Sequence, residues 1–416
     1  MPAPNSKVTL TGLLADVRLL VILFVALRLS LLIAYQPLQV SGGERGVTTG
    51  GDFATYHAIA GLSVTAGLPF DAWWSEFPPI WSFATVILYA LSSGVYASFA
   101  MLMSVLILVF DVGNLLLIRR IGTHLHGSNT GMALSWIYSV LAAPLIFSFW
   151  NFEVVVAFWL LLGLSFLLDK KPGSSAVAAA IGALIKFTPA LLLGAAWRFL
   201  DRGWALRYAL IVLALFVLVY IPLFINDTSM TLPSLTAQFS KASYQTVWAL
   251  LDGNFRTGNF GPVADRLDPE RAADTLGNPA VVPGFVRLGV ALIAGLFVFL
   301  RARRLDDKGL VAFVTVTLLI FFLQAQGWSP QWLAQIIPLL LLCFPDRNGI
   351  LIAVMLSMLT FVEYPLLFLR TGDTGGAISG ALITPFALLV IARTAILVGI
   401  CFALYRRLRE EPVSST

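Results

Sequence analysis

Twelve apolar segments follow one another along this chain of 416 residues. They cover residues 17–35, 79–91, 95–118, 130–149, 152–168, 174–199, 205–225, 283–300, 309–325, 332–344, 349–369 and 381–405. A helix needs about 20 mostly apolar residues to cross a bilayer, and most of these segments approach or reach that length. Apolar and aromatic residues make up 58% of the chain and charged residues 12%. A soluble domain is about half apolar and about a quarter charged. So little charge cannot coat a water-exposed surface of this size. The chain therefore reads as an all-α integral membrane protein, a multi-pass bundle of about 10–12 transmembrane segments with loops on the outer face.

Only two polar stretches are long, 36–78 and 226–282, and no internal repeat stands out. One membrane domain over residues 1–416 is the simplest expectation. The net charge of +5 fits cationic cytoplasmic loops better than a nucleic-acid partner. Cys343 and Cys401 both sit in apolar runs and build neither a disulfide framework nor a zinc site. The first apolar run starts near Val17 without a small-residue cleavage site, so it reads as a retained helix.

Lysine and arginine set the orientation. Arg198, Arg202 and Arg207 cluster in one joint, Arg301, Arg303, Arg304 and Lys308 in another, and Arg406, Arg407 and Arg409 follow the last segment. Calling these cytoplasmic places both long polar stretches outside. Strict alternation of twelve spans then puts Arg119, Arg120, Lys170 and Lys171 on the outer side. Both conflicts vanish if 79–91 and 174–199 enter and leave by the same face. The first is short and opens with Pro78-Pro79; the second is interrupted by Lys186 and Pro189. Broken helices are tolerated at membrane depth where they line a cavity. The expectation is about ten full spans plus two re-entrant segments.

The first outer stretch contains Gly50-Gly51-Asp52-Phe53-Ala54-Thr55-Tyr56-His57, and 54–66 suits a short helix lying on the membrane surface. Asp52 precedes that helix and reads either as its N-cap or as a functional carboxylate. Trp73-Trp74 suit the bilayer interface. Arg28 and Asp111 lie inside spans and form a candidate buried pair, with substrate contact as the other reading. Lys186 between apolar stretches needs a reason, either snorkelling or an anionic ligand. Glu363 lies inside or at the end of a span without an evident role.

An acidic residue after the first span, then Tyr56, Gly67-x-Pro69-Phe70-Asp71 and Phe77-Pro78-Pro79, form a pattern that resembles the GT-C superfamily of membrane glycosyltransferases. The nearest likeness is to the bacterial polyprenyl-phosphate-mannose-dependent alpha-mannosyltransferases, glycosyltransferase family 87. Asn151-Phe152-Glu153 is similar to the second outer loop of that family. Lys186-Phe187-Thr188-Pro189 resembles its lysine-x-x-proline motif. Ser243 to Trp248 with Gly253-Asn254 resemble a motif in the large later loop. Trp328-Ser329-Pro330-Gln331-Trp332 with Pro338 resembles the serine-proline-aromatic motif. The sequence departs from the family at Ile80-Trp81 and in lacking a histidine in the late motif.

The resemblance implies inverting transfer of a sugar, mannose by likeness, from a polyprenyl-phosphate carrier to an acceptor hydroxyl at the outer face of a cell membrane. The acceptor is a glycolipid, a polysaccharide or a protein. Asp52 matches the catalytic base, with Asp71 and Glu76 as fallbacks. Glu153, Lys186, Tyr56, His57, Trp328, Gln331, Lys241 and Arg256 are the candidate substrate-binding residues. Phosphate leaves readily, so one carboxylate suffices where most glycosidases need two. No aspartate-x-aspartate pair or histidine cluster occurs in the outer loops, so the expectation is no metal and no cofactor beyond the lipid-linked co-substrate. A transporter or lipid flippase is the main competing class, and paired broken helices in two repeats would be its mark. A polysaccharide ligase or polymerase would carry its distinctive residues in a large late loop. A purely structural membrane protein is the remaining class.

Overall fold

The computed structural model describes residues 9–35, 51–147, 150–258, 261–274, 277–371 and 376–410. Residues 36–50 of the first outer stretch thus lie outside the described residues. A bilayer core offers no water to backbone N–H and C=O groups, so each must be satisfied within its segment. The chain meets that demand with helices. Isolated bridges at Pro69–Trp73, Tyr244–Gly327 and Arg256–Ala377 are its only extended pairings among the described residues. Among the described residues six helices are long and apolar enough to cross a membrane: Tyr96–His126, Arg202–Asn226, Gly284–Arg301, Asp307–Gln324, Arg347–Leu367 and Gly380–Arg409.

The elements used below are α1 (Val17–Tyr35), α2 (Gly51–Thr65), α3 (Pro79–Leu91), α4 (Tyr96–His126) and α5 (Ser128–Val140, continued by Ala142–Phe147). They continue with α6 (Glu153–Leu168), α7 (Pro172–Ala183), α8 (Leu192–Phe199), α9 (Arg202–Asn226) and α10 (Pro233–Ser240). The last are α11 (Gly284–Arg301), α12 (Asp307–Gln324), α13 (Leu333–Cys343), α14 (Arg347–Phe361) and α15 (Ile383–Arg409).

Contacts between joints define two ends of the bundle. At one end Arg120 pairs with Asp169 at 2.5 Å, and Lys170 and His124 meet Asp307 at 3.0 and 2.7 Å. There too Arg198 donates to the Ala302 carbonyl at 2.5 Å, and the Arg303 amide to Leu408 at 2.7 Å. This is the basic end. At the other end Asn226 donates to Asp71 at 2.8 Å, and the Trp328 amide to the Tyr244 carbonyl at 3.0 Å. Among the described residues ten passes run between these ends: α1, α4, α5, α6, α9, α11, α12, α13, α14 and α15.

Two segments enter and leave by the same end. α3 has 13 residues and runs along its neighbour α2. Near its start Trp81 packs on Tyr56 of α2; at its far end Tyr89 packs on His57 of the same helix. Both ends of α3 therefore lie along α2. The second segment rises from Lys171 through α7, breaks over 184–187, and returns through a 3₁₀ turn (Thr188–Leu191) and α8 to Arg198. Pro189 has no amide donor to continue a helix, and its ring lies where a side chain on Gly182 would stand, 2.7 Å from an added Cβ. The Leu184 carbonyl freed at the break accepts the Ile80 amide at the start of α3, 3.0 Å away. Arg119, Arg120, Lys170 and Lys171 consequently share one end with the 301–308 and 406–409 clusters, unlike the outcome of strict alternation.

Within the passes Arg28 of α1 donates through Nε to Asp111 of α4 at 2.6 Å, and both side chains are fully buried. Tyr138 donates to the other Asp111 oxygen at 2.5 Å. Removing one partner of such a pair strands a charge at a cost of roughly 3–5 kcal/mol, whereas an apolar replacement of both is tolerated better. Asp111→Leu is therefore expected to lower the thermal unfolding midpoint of the purified protein sharply. Arg28→Met combined with Asp111→Leu should recover much of that loss.

Candidate functional site

α2, the break at 184–187, the start of α6 and the 324–332 segment converge at the end opposite the basic one. They enclose a cavity of about 540 Å³. Asp52 sits in the first turn of α2 and is 6% exposed. Tyr56, one helical turn on and on the same face, donates to it at 3.2 Å. Asn151 also donates to Asp52, and Gln331 Nε2 lies 3.5 Å away. Asp52 is thus a carboxylate turned toward side chains of three elements rather than a simple cap. Burial pushes its pKa up to about 6, reinforced by the charge of Glu153 and opposed by the Asn151 and Tyr56 bonds and by Lys186.

Asn151 has a second duty. Its Oδ1 accepts the Glu153 amide at 2.8 Å, which closes the first turn of α6. Glu153 is fully buried, and a helix N-terminus favours its negative charge. Lys186 at the break and Gln335 of α13 (2.5 Å) both donate to it. Lys186 reaches the cavity between the Phe152 and Trp332 rings, at 5.5 and 5.8 Å from their centroids.

A second charge group closes the cavity above α3. Glu76 is 1% exposed and accepts from Lys241 and from Arg266, the latter at 3.2 Å. Arg266 also lies over the Trp74 ring at 4.1 Å. Burial and the neighbouring Arg266 charge hold Lys241 well below the usual lysine range, and burial brings Arg266 down to about 10. Arg287, at the start of α11, lines the cavity and donates to Gln326 at 3.1 Å. No carboxylate lies within ion-pair distance of Arg287 among the described residues. Its Nε and Nη1 atoms are buried without a partner, as are Thr188 Oγ1 and Gln331 Oε1. Buried polar groups are normally hydrogen-bonded, so these atoms mark where a polar ligand would be received. The opposite flank is apolar and open: Phe239, Phe285 and Leu288 are 63%, 77% and 42% exposed.

The structure thus brings together Asp52, Tyr56, Lys186, Lys241 and Gln331 on the cavity and places Glu153 behind Lys186. Three other candidates fall elsewhere. His57 bonds the Gly94 carbonyl region at 2.9 Å and packs among Tyr89, Tyr96 and Phe99. Five residues past Asp52 it points about 140° around the helix from it. Trp328 is buried, donates to Glu363 at 3.2 Å and lies under Arg393. Arg256 pairs in the backbone with Ala377, outside the cavity wall. Of the fallback acids, Asp71 is exposed against Asn226, and Glu76 is the counter-ion just described. Asn151, Thr188, Tyr244, Arg266, Gln326 and Arg287 received no role from sequence. Arg287 alone carried a usable signal, a charge opening an apolar run, the same rule that singled out Lys186.

No protein-family model and no curated protein matches the chain. Among solved structures, ArnT from Cupriavidus metallidurans bound to undecaprenyl phosphate is similar at 12% identity and a TM-score of 0.48, over 95% of this chain and 78% of that one. The apo oligosaccharyltransferase of Archaeoglobus fulgidus is similar at 12% identity and a TM-score of 0.44, over 95% of this chain. The chain spans 56% of the length of that oligosaccharyltransferase. At these scores the likeness decides nothing about this chain's chemistry.

A carboxyl whose pKa is raised on folding favours the folded state in its protonated form. Asp52 therefore costs the fold stability once it ionises, a penalty of about 3 kcal/mol for a rise from 3.8 to about 6. The penalty grows as pH climbs between those values and is complete above them. Asp52→Asn is expected to unfold at higher temperature than the parent at pH 8 and to lose that advantage near pH 4. A variant less stable than the parent at pH 8 would show that the carboxylate is well solvated.

Proposed function

We propose that this chain transfers a sugar, mannose by sequence likeness, from a polyprenyl-phosphate carrier to an acceptor hydroxyl, inverting the anomeric centre. The observation that carries the reading is Asp52 at the polar floor of a cavity whose other flank is exposed aromatic surface. A lipid phosphate needs that pairing: cations for its head and an apolar wall for its chain. Taking the basic end as cytoplasmic places the reaction at the outer face.

Asp52 ionises near neutrality, which suits a general base. The acceptor oxygen attacks the anomeric carbon, its proton passes to Asp52, and the bond from that carbon to the phosphate oxygen breaks. The electron pair stays on the phosphate. Gln331 and Thr188 are placed to bind sugar hydroxyls, and Tyr56 and Asn151 hold the base. Arg287 receives the phosphate, while Lys186 and Lys241 act with their charges largely committed to Glu153 and Glu76.

Charge balance favours the same direction. Lys186, Lys241, Arg266 and Arg287 face Asp52, Glu76 and Glu153, leaving one positive charge. A phosphodiester donor carries one negative charge. After transfer the leaving phosphate carries a second, and Asp52 has become neutral. The site and its contents stay balanced throughout, so no charge must enter or leave a poorly solvated cavity.

With labelled polyprenyl-phosphate mannose in reconstituted membranes, Asp52→Asn is expected to lower kcat roughly 10²–10⁴-fold. The parent rate should climb with pH through about 6 as the base ionises. Unchanged transfer by Asp52→Asn removes the assignment. Arg287→Gln should raise the donor KM roughly 10- to 100-fold, the worth of a charged hydrogen bond, with a smaller change in kcat. Glycan profiling in a deletion strain identifies the acceptor.

A further inference from the structure

A second cavity, of about 430 Å³, lies at the basic end, where α4, α12, α13 and α15 terminate together. Val311, Ala312 and Leu342 contribute to its lining beside the polar groups. Its rim carries Arg304, Lys308 and Arg407 against the exposed carboxylates of Asp346 and Glu410. Arg304 is committed to Asp306 at 2.9 Å. Arg407 donates to the Cys343 carbonyl, rests on the Phe344 ring at 4.1 Å, and stands 3.7 Å from Asp346, beyond hydrogen-bond length. Its guanidinium is thus oriented by the carbonyl and the ring and only loosely paired with Asp346. Lys308 forms no ion pair among the described residues and sits in the first turn of α12, where the helix dipole opposes a cation. An oriented guanidinium and an unpaired ammonium facing one cavity, the latter against its own helix, make a receptor for a compact anion.

We propose that this cavity binds a phosphate group between Lys308 and Arg407, at the opposite end of the bundle from Asp52. The site is independent of the sugar-transfer reading. Phosphate can arrive as a lipid headgroup or as the free ion. Basic pockets between membrane helices on the cytoplasmic side commonly take headgroups.

The test uses the full chain in nanodiscs. The thermal midpoint is read in phosphatidylcholine alone, with added phosphatidylglycerol, and with inorganic phosphate against chloride of equal ionic strength. Lys308→Gln combined with Arg407→Gln is compared with Arg202→Gln combined with Arg207→Gln, which removes equal charge from exposed positions outside the cavity. The expected result is a rise of roughly 3 °C or more in the parent and in the Arg202/Arg207 variant, absent in the Lys308/Arg407 variant. A rise with phosphatidylglycerol alone names the headgroup, and a rise with inorganic phosphate names the free ion. Equal responses in both variants, or no rise in the parent, overturn the proposal. If the Lys308/Arg407 variant fails to assemble, Lys308→Gln alone carries the comparison, because no structural bond is lost with that side chain.

Discussion

The ion pair between Glu153 and Lys186 is the bond on which the site end turns. A carboxylate with no exposed surface is sustained only by a close cation and further hydrogen bonds, and Lys186 and Gln335 supply both. The pair also ties two weak points together. Lys186 belongs to a break in the chain where proline forbids a continuous helix, and Glu153 opens α6. Phe152, between Asn151 and Glu153, stacks on Trp81 of α3 with centroids 4.2 Å apart. Three consecutive residues thus hold the carboxylate of Asp52, the re-entrant turn and the short helix α3 in one register.

The buried arginines follow a common rule with one exception. Arg28 meets Asp111, and Arg393 meets Glu363 and caps the Trp328 ring. Arg266 meets Glu76. Each pair removes a lone charge from an apolar surrounding. The Arg393 group also donates to the Gln245 carbonyl, which fixes the strand-like segment that presents Tyr244 to the cavity. Arg287 is the exception: its nearest described partner is the neutral side chain of Gln326. A fold that neutralises its other buried arginines and leaves one at a cavity wall has left room for an anion from elsewhere.

Much of this was legible beforehand because cost is legible. Apolar length announced the passes, and a lysine and a proline inside an apolar run announced the break. Misplaced basic clusters pointed to the two segments that turn back. Lys186 stood out as a charge lacking a cheap explanation, whereas Asp52 could pass for a helix cap and was singled out by the family resemblance. Neutral polar residues gave no such signal, so Asn151 and Tyr244 appeared within quoted motifs but received no role. Helical phase explains another difference. Tyr56 shares a face with Asp52, whereas His57 is carried around to the α3 side. Trp328 has the composition of a sugar platform, and only the partner found for Glu363, far along the chain, shows it spent on packing.

On the proposed reading, the apolar flank of the main cavity has a consequence for how the donor is supplied. Phe239, Phe285 and Leu288 are exposed on the cavity's flank, an apolar surface suited to hydrocarbon. A substrate entering past them comes from a two-dimensional film, so its supply follows its mole fraction among the surrounding lipids, not its amount per volume of buffer. Extra micelles would thin that film and slow turnover with every residue intact, and packing more donor into a fixed area of bilayer would restore it.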